Sequence, residues 1–253
     1  DAVRAQALAV GAVDCAFASL DEAVYDADLV VLCTPVLTIP VLVSQLLGML
    51  KPGCLLTDVG STKQWLTNEI LNVLEGRSVT YIGSHPMAGS EKTGIEASRA
   101  DLYLGACVLV TPMRETDANA VAQLTTFWQS VGAIVTTVTP EEHDIIIART
   151  SHLPHLTAAL LMNTVDRDGR NVAPFCGPGF RDTTRIAAGS EDVWHDIVKS
   201  NATAIRRELD MLRRGIDSLC EQLDRKDFEA VREWLACCRL KREAFCNKGQ
   251  GGE

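Results

Sequence analysis

Polar residues able to do chemistry gather where apolar runs stop. After the run Asp28 to Cys33 come Thr34 and Pro35; after Cys54 to Asp58 come Gly60, Ser61 and Lys63; after Val79 to Ile82 comes Gly83 to Glu91, which holds His85. Glycines and small residues let a flat ligand approach the backbone, while Ser61, Lys63, His85 and Glu91 bring polar groups to one rim. His85 is the leading catalytic candidate among the five histidines. It sits between a strand end and Pro86, where packing gives it little to do, and imidazole titrates near neutrality. His152 and His155 lie one helical turn apart around Pro154, which removes a backbone hydrogen bond and kinks the helix. Site and structural readings of these two both stand. His143, at a helix start, and His195, beside Trp194, read as structural or surface residues. No metal site is expected: steps of nine and three residues do not bring His143, His152 and His155 to one helical face. Arg181 and Arg185 are four residues apart, so both could meet carboxylates on one side of a helix, or be solvated. Lys63 could serve a phosphate or begin the next helix.

These residues need a frame. Five short apolar or β-branched runs, the three above with Cys107 to Val110 and Ala133 to Val138, alternate with helical patterns. That alternation predicts an α/β fold with a largely parallel, doubly wound sheet over residues 1–139, whose ligands bind beyond the carboxyl ends of the strands. At Thr139 the pattern changes. Thr139, Pro140 and Glu142 form a capping box that opens a long helix, and 140–253 reads as all-helical, interrupted by a loop from Asp166 to Ser190. Ile205, Leu209, Leu212, Ile216, Leu219 and Leu223 recur at alternating steps of four and three, the repeat of a packed helical seam. An intramolecular core and a dimer interface satisfy that spacing equally.

Composition narrows the class. The chain has 253 residues, enough for one large domain or two, with ordinary globular proportions of 47% hydrophobic and 23% charged residues. Its net charge of −9 argues against nucleic acid as a partner. Nine cysteines without a CxxC spacing read as reduced, placing the protein in the cytoplasm. No secretory leader is read. Leu29 to Leu50 carries no charge but is divided by Pro35 and Pro40 into a strand and a helix, so no membrane span is expected.

A dinucleotide fingerprint, GxGxxG with an acid about 20 residues later, is not in the sequence. The chain opens at Asp1 and enters at once a helical stretch, Ala2 to Val10. The expectation is therefore an incomplete Rossmann-type sheet, its glycine loop lying upstream and its Leu29 to Cys33 strand left with a bare edge prone to aggregation.

Five segments in order carry a resemblance: Asp28 to Pro35, Asp58 to Lys63, Ser84 to Glu91, Ser151 to His155 and Gly179 to Ala187. Together they resemble the prephenate/arogenate dehydrogenase family of tyrosine biosynthesis. The resemblance implies a nicotinamide-dependent oxidative decarboxylation of a cyclohexadienol, an N-terminal Rossmann domain and a C-terminal helical domain that dimerises. By the same resemblance His85 is the catalytic histidine and Ser61 the serine assisting it. Arg185 clamps a substrate carboxylate, Ser151 and His155 are substrate-side contacts, Glu91 is the gating acid and Trp194 an active-site neighbour. Thr34, Pro35, Ser61 and Lys63 are expected at the cofactor. NAD, or NADP, is implied, as is a homodimer; the second histidine of Ser151 to His155 favours prephenate over arogenate. Two other readings stand beside this one: a noncatalytic truncated remnant or partner subunit that dimerises through the helical seam, and another hydroxy-acid dehydrogenase of Rossmann-plus-helical architecture.

Overall fold

The computed structural model describes residues 2–89, 94–167 and 169–248. Among the described residues six strands form: β1 (Leu29–Leu32), β2 (Leu55–Asp58), β3 (Thr80–Tyr81), β4 (Gly83–Pro86), β5 (Cys107–Thr111) and β6 (Ile134–Thr137). β1, β2 and β3 pair in parallel, with β1 at the edge of that ladder; β5 and β6 also pair in parallel. β4 runs antiparallel to β5, with His85 opposite Leu109. The segment after β3 is thus a strand, where the sequence reads as a loop. The Ile82 amide donates to Leu56, and the Ser84 hydroxyl to the Asp58 carbonyl, so one extended stretch links both ladders.

The α-helices of the described residues are α1 (Ala2–Ala9), α2 (Leu20–Val24), α3 (Ile39–Leu46), α4 (Gln64–Leu74), α5 (Ala118–Ser130), α6 (Pro140–Ile147), α7 (Leu153–Val165), α8 (Pro178–Thr184), α9 (Glu191–Ser200), α10 (Ala202–Asp224) and α11 (Phe228–Lys248). Side chains alternate across a strand, so the adjacent Leu55 and Leu56 belong to different cores. Leu56 packs with Ile39, Val43, Leu66 and Ile70 of α3 and α4, while Leu55 packs with Val108, Leu124 and Trp128 on the α5 side. The apolar stretch that begins at Leu29 divides into β1, a 3-10 turn at Val36–Thr38 and α3. Among the described residues no helix is long and apolar enough to cross a membrane.

α6 begins as its sequence dictates. Thr139 Oγ1 accepts from the Glu142 amide at 3.1 Å, and the Glu142 carboxylate accepts from the Thr139 amide at 3.0 Å. A π-helical turn, Ala148–His152, joins α6 to α7. The wider turn suits Pro154, which has no N–H to donate and whose ring clashes with a carbonyl four residues back in a regular helix. The interval from Asp166 to Ser190 is not all loop: α8 and a 3-10 turn at Arg185–Ala188 form within it, Pro178 being pre-shaped for a first helical turn.

The chain divides into two compact units, Asp1–Ile205 and Arg206–Glu253. In the second, Leu209, Leu212 and Leu219 of the seam are half-buried and Ile216 and Leu223 exposed, as are Trp234, Leu235, Leu240 and Phe245.

Candidate active site

The strand ends of the sheet meet α6, the π turn and α9 around a set of buried polar side chains. Asp58 closes β2, is fully buried, and is satisfied on both oxygens. Oδ1 accepts from the Tyr81 hydroxyl at 2.8 Å; Oδ2 accepts from the Gly60 amide at 2.7 Å and from Lys63 Nζ at 2.5 Å. Burial, then the carboxylate beside it, pushes the Tyr81 phenol well above its usual range. Gly60 is required here because a Cβ would stand 2.9 Å from Asp58 Oδ2 and 3.3 Å from Val36. Lys63 stands at the N-cap of α4, the helix start that the sequence allowed, and its ammonium turns inward to sit with no exposure on Asp58.

The loop from β2 to α4 is tied to the helical half at three points. Thr62 Oγ1 meets Ser200 Oγ at 2.8 Å, and the backbone amides of Lys63 and Gln64 donate to the two oxygens of Asp144 at 2.8 and 3.0 Å. Free amides at the start of α4 are thus capped by a carboxylate 80 residues away in sequence. Ser61, half-buried, rides on this loop.

His85 lies within β4 and is 8% exposed. Its Nδ1 is 2.9 Å from His143 Nε2, and His143 Nδ1 is 2.8 Å from Asp144 Oδ1. Burial, reinforced by the Lys63 charge, holds His85 well below the ordinary imidazole range; burial also lowers His143. Among the described residues Nε2 of His85 has no hydrogen-bond partner. His143 is consequently neither a surface residue nor an isolated packing residue but the direct neighbour of the leading candidate. The signal for it was available: positions 140, 143, 144, 147 and 148 fall on one helical face, and all are buried. Two polar residues on that inward face mark a site.

His152 continues that face, fully buried, with Nδ1 3.4 Å from Asn201 Nδ2; the same amide donates to the Asp144 carbonyl at 2.9 Å. Burial lowers its pKa to about 4. His155, a turn further on, lies flat against the half-buried Trp194. Burial lowers His155 as well. Ser151 is half-buried on the π turn. Arg185 opens the 3-10 turn that packs on α7, with Arg181 on the last turn of α8; both are exposed. Thr34 and Pro35 are exposed at the end of β1, just before the 3-10 turn against which α9 packs. His195 is exposed and Glu91 lies outside the described residues.

A largely parallel sheet with a buried imidazole on the extended stretch that follows β3, closed by helices from the second half of the chain, defines a Rossmann-type dehydrogenase. The chain belongs to the prephenate dehydrogenase family: the family's nucleotide-binding domain matches residues 1–137 and its dimerization domain residues 139–237. It is 35% identical to the prephenate dehydrogenase of Bacillus subtilis over 250 residues, 97% of this chain and 67% of that protein. It is 34% identical to the cyclohexadienyl dehydrogenase of Zymomonas mobilis over 211 residues, 82% of this chain and 71% of that one. Among solved structures, prephenate dehydrogenase from A. aeolicus in complex with hydroxyphenyl propionate and NAD+ superposes with a TM-score of 0.89. That pair is 30% identical and covers 96% of this chain and 85% of the other.

Proposed function

We propose that this chain oxidatively decarboxylates prephenate, with NAD as hydride acceptor, on the route to tyrosine. The observation that carries the reading is the neutral, buried His85 at the carboxyl rim, backed by a second imidazole, in a chain of this family. The rim residues fit a flat nicotinamide ring: Thr34 and Pro35 are exposed, Gly60 leaves no room for a side chain, and Ser61 follows it. These residues would hold the ring, and Lys63 supports them from below through Asp58. Bound there, the oxidised ring supplies a two-electron acceptor.

His85 takes the proton of the substrate's ring hydroxyl as the carbon bearing it loses hydride. The bond to the ring carboxylate then breaks, carbon dioxide leaves, and its electron pair enters the ring, whose oxygen becomes a phenolate. That oxygen takes the proton back from His85, so the balance closes and aromatisation drives the sequence forward. An imidazole held well below its ordinary range is already neutral at neutral pH and free to accept that proton. Ser61 assists at the hydroxyl and Arg185 clamps a substrate carboxylate. Ser151, His155 and Trp194 contact the substrate, and Glu91 gates its entry. His155 favours prephenate over arogenate, and NADP is the alternative acceptor. The division of labour falls near residue 139, the nucleotide on one side and substrate and dimer contacts on the other. Apolar side chains exposed along α10 and α11 support a homodimer, and eight described cysteines, all free, support a reducing, cytoplasmic setting.

The test is formation of the reduced cofactor by the full-length protein, with prephenate and arogenate run in parallel. His85→Asn should lower kcat by about 10² to 10⁴ with cofactor affinity nearly unchanged. Normal turnover by that variant would defeat the assignment.

A further inference from the structure

Asp144 has more acceptor capacity than its helix-capping role uses. Oδ2 takes the Gln64 amide; Oδ1 takes the Lys63 amide and lies 2.8 Å from His143 Nδ1. A carboxylate has no hydrogen to offer, so Nδ1 of His143 carries one. Burial disfavours the cationic form of His143, which leaves its Nε2 with a lone pair only. That lone pair faces Nδ1 of His85 at 2.9 Å, and a contact of this length between two nitrogens needs one donor; the hydrogen belongs to His85.

We infer that His143 and Asp144 set the tautomer of His85, fixing hydrogen on its Nδ1 and leaving Nε2 as the nitrogen that receives the substrate's proton. His143 is a positioning residue that acts through His85. The inference rests on the proposed role of His85 as base. Two features make the device more than a packing accident. The carboxylate is held by two backbone amides at the start of α4, so it cannot swing away to leave His143 free to reverse its donor and acceptor. The opposite tautomer of His85 would set two lone pairs against each other across 2.9 Å inside a dry site. Once His85 is protonated, its Nδ1–H still has an acceptor, which stabilises the imidazolium against repulsion by the like charge of Lys63. The ionisable groups packed around this pair are Lys63 and Asp58 from the β2 side, His143 and Asp144 from α6, and His152 from the π turn.

Nitrogen-15 spectra of the imidazoles in the full-length protein near neutral pH read the tautomer directly, with His85 assigned by its loss in His85→Asn. Nδ1 of His85 should carry hydrogen and Nε2 should not. His143→Leu, which removes the acceptor, should lower kcat about 10- to 1000-fold with the substrate KM within about threefold, and should distort the acid limb of the pH profile. His143→Gln, whose Oε1 can accept the same hydrogen, should recover most of kcat. Hydrogen on Nε2 of wild-type His85, or a folded His143→Leu protein with wild-type turnover, overturns the inference. If His143→Leu does not fold, the wild-type spectrum decides. If neither ring substrate is oxidised, the proposed function fails while the spectrum still reports the tautomer.

Discussion

Trp194 lies flat on His155, ring centroids 3.4 Å apart and planes inclined by only 14°. Gly189 makes room for the pair: a Cβ there would stand 2.7 Å from Trp194 Nε1 and 3.0 Å from His155 Cε1. Gly189→Ala should therefore separate the rings, cost about 1–3 kcal/mol by overpacking, and raise the substrate KM more than it lowers kcat. Denaturant melts and steady-state kinetics measure both. Unchanged stability and KM would show that the rings yield freely and that the stack does not shape the substrate side.

Arg185→Ala should weaken substrate binding by about 1.5–3 kcal/mol, the range for a hydrogen bond to a charged group, with a smaller change in kcat. The side chain is exposed at the start of its 3-10 turn, so loss of fold is not expected to confuse the result. A wild-type KM would remove Arg185 from the carboxylate.

Acid should loosen the fold before it protonates the surface carboxylates. His85, His143 and His152 all have folded pKa values below the free imidazole's 6.5, so the unfolded chain binds more protons in this window and stability rises with pH. Their contribution is complete above 6.5 and is lost as pH falls from there toward the folded values. For His152, lowered to about 4, it amounts to about 3 kcal/mol. Urea melts at several pH values between 4 and 7 should show this slope, and His152→Gln should flatten it. On the activity side kcat/KM should rise through a pKa below 6.5. An acid limb centred above that value would mean that His85 is not the group being titrated.

Lys63→Met should be among the most destabilising single changes in the first unit, about 3–5 kcal/mol, because it leaves Asp58 charged and unpaired where no water reaches. Lys63→Met combined with Asp58→Asn should regain part of that loss. A single variant as stable as the wild type would show that the ion pair is not needed.

Light scattering on the full-length protein should report a dimer. Leu240→Glu on α11, a site left 57% exposed, should shift it toward monomer. A monomer at micromolar concentration in the wild type would contradict the reading of α10 and α11 as an interface.

How far the sequence reached depended on whether the determinant was local. The Thr139 to Glu142 cap is complete within four residues and stands as written there. Apolar or β-branched runs placed β1, β2, β3, β5 and β6: β2 and β5, buried along almost their whole length, carry their signal in composition, while the largely exposed β6 carries it in the β-branched residues Ile134 to Thr137. β4 was missed for the opposite reason: Gly83, Ser84, His85 and Pro86 have little strand preference of their own, and pairing with β5 holds them extended. α8 hid in a stretch whose Gly and Pro content reads as loop. In the site, His85 stood out from its place after an apolar run; the helical periodicity around His143 marked it as inward-facing, but not its contact with a residue 58 positions earlier. Lys63 does open the next helix, one of the two readings its sequence allowed, but nothing near it in sequence announces that its ammonium will be buried on Asp58.

The shared cap at Asp144 has a mechanical consequence. Two amides of a helix in the first half of the chain are capped by a side chain from the second, so parting β2–α4 from α6 would strip a helix end and unseat the imidazole pair in one movement. Whatever breathing admits substrate and frees product must happen around this joint, in rotamers and surface segments, while the joint itself stays shut.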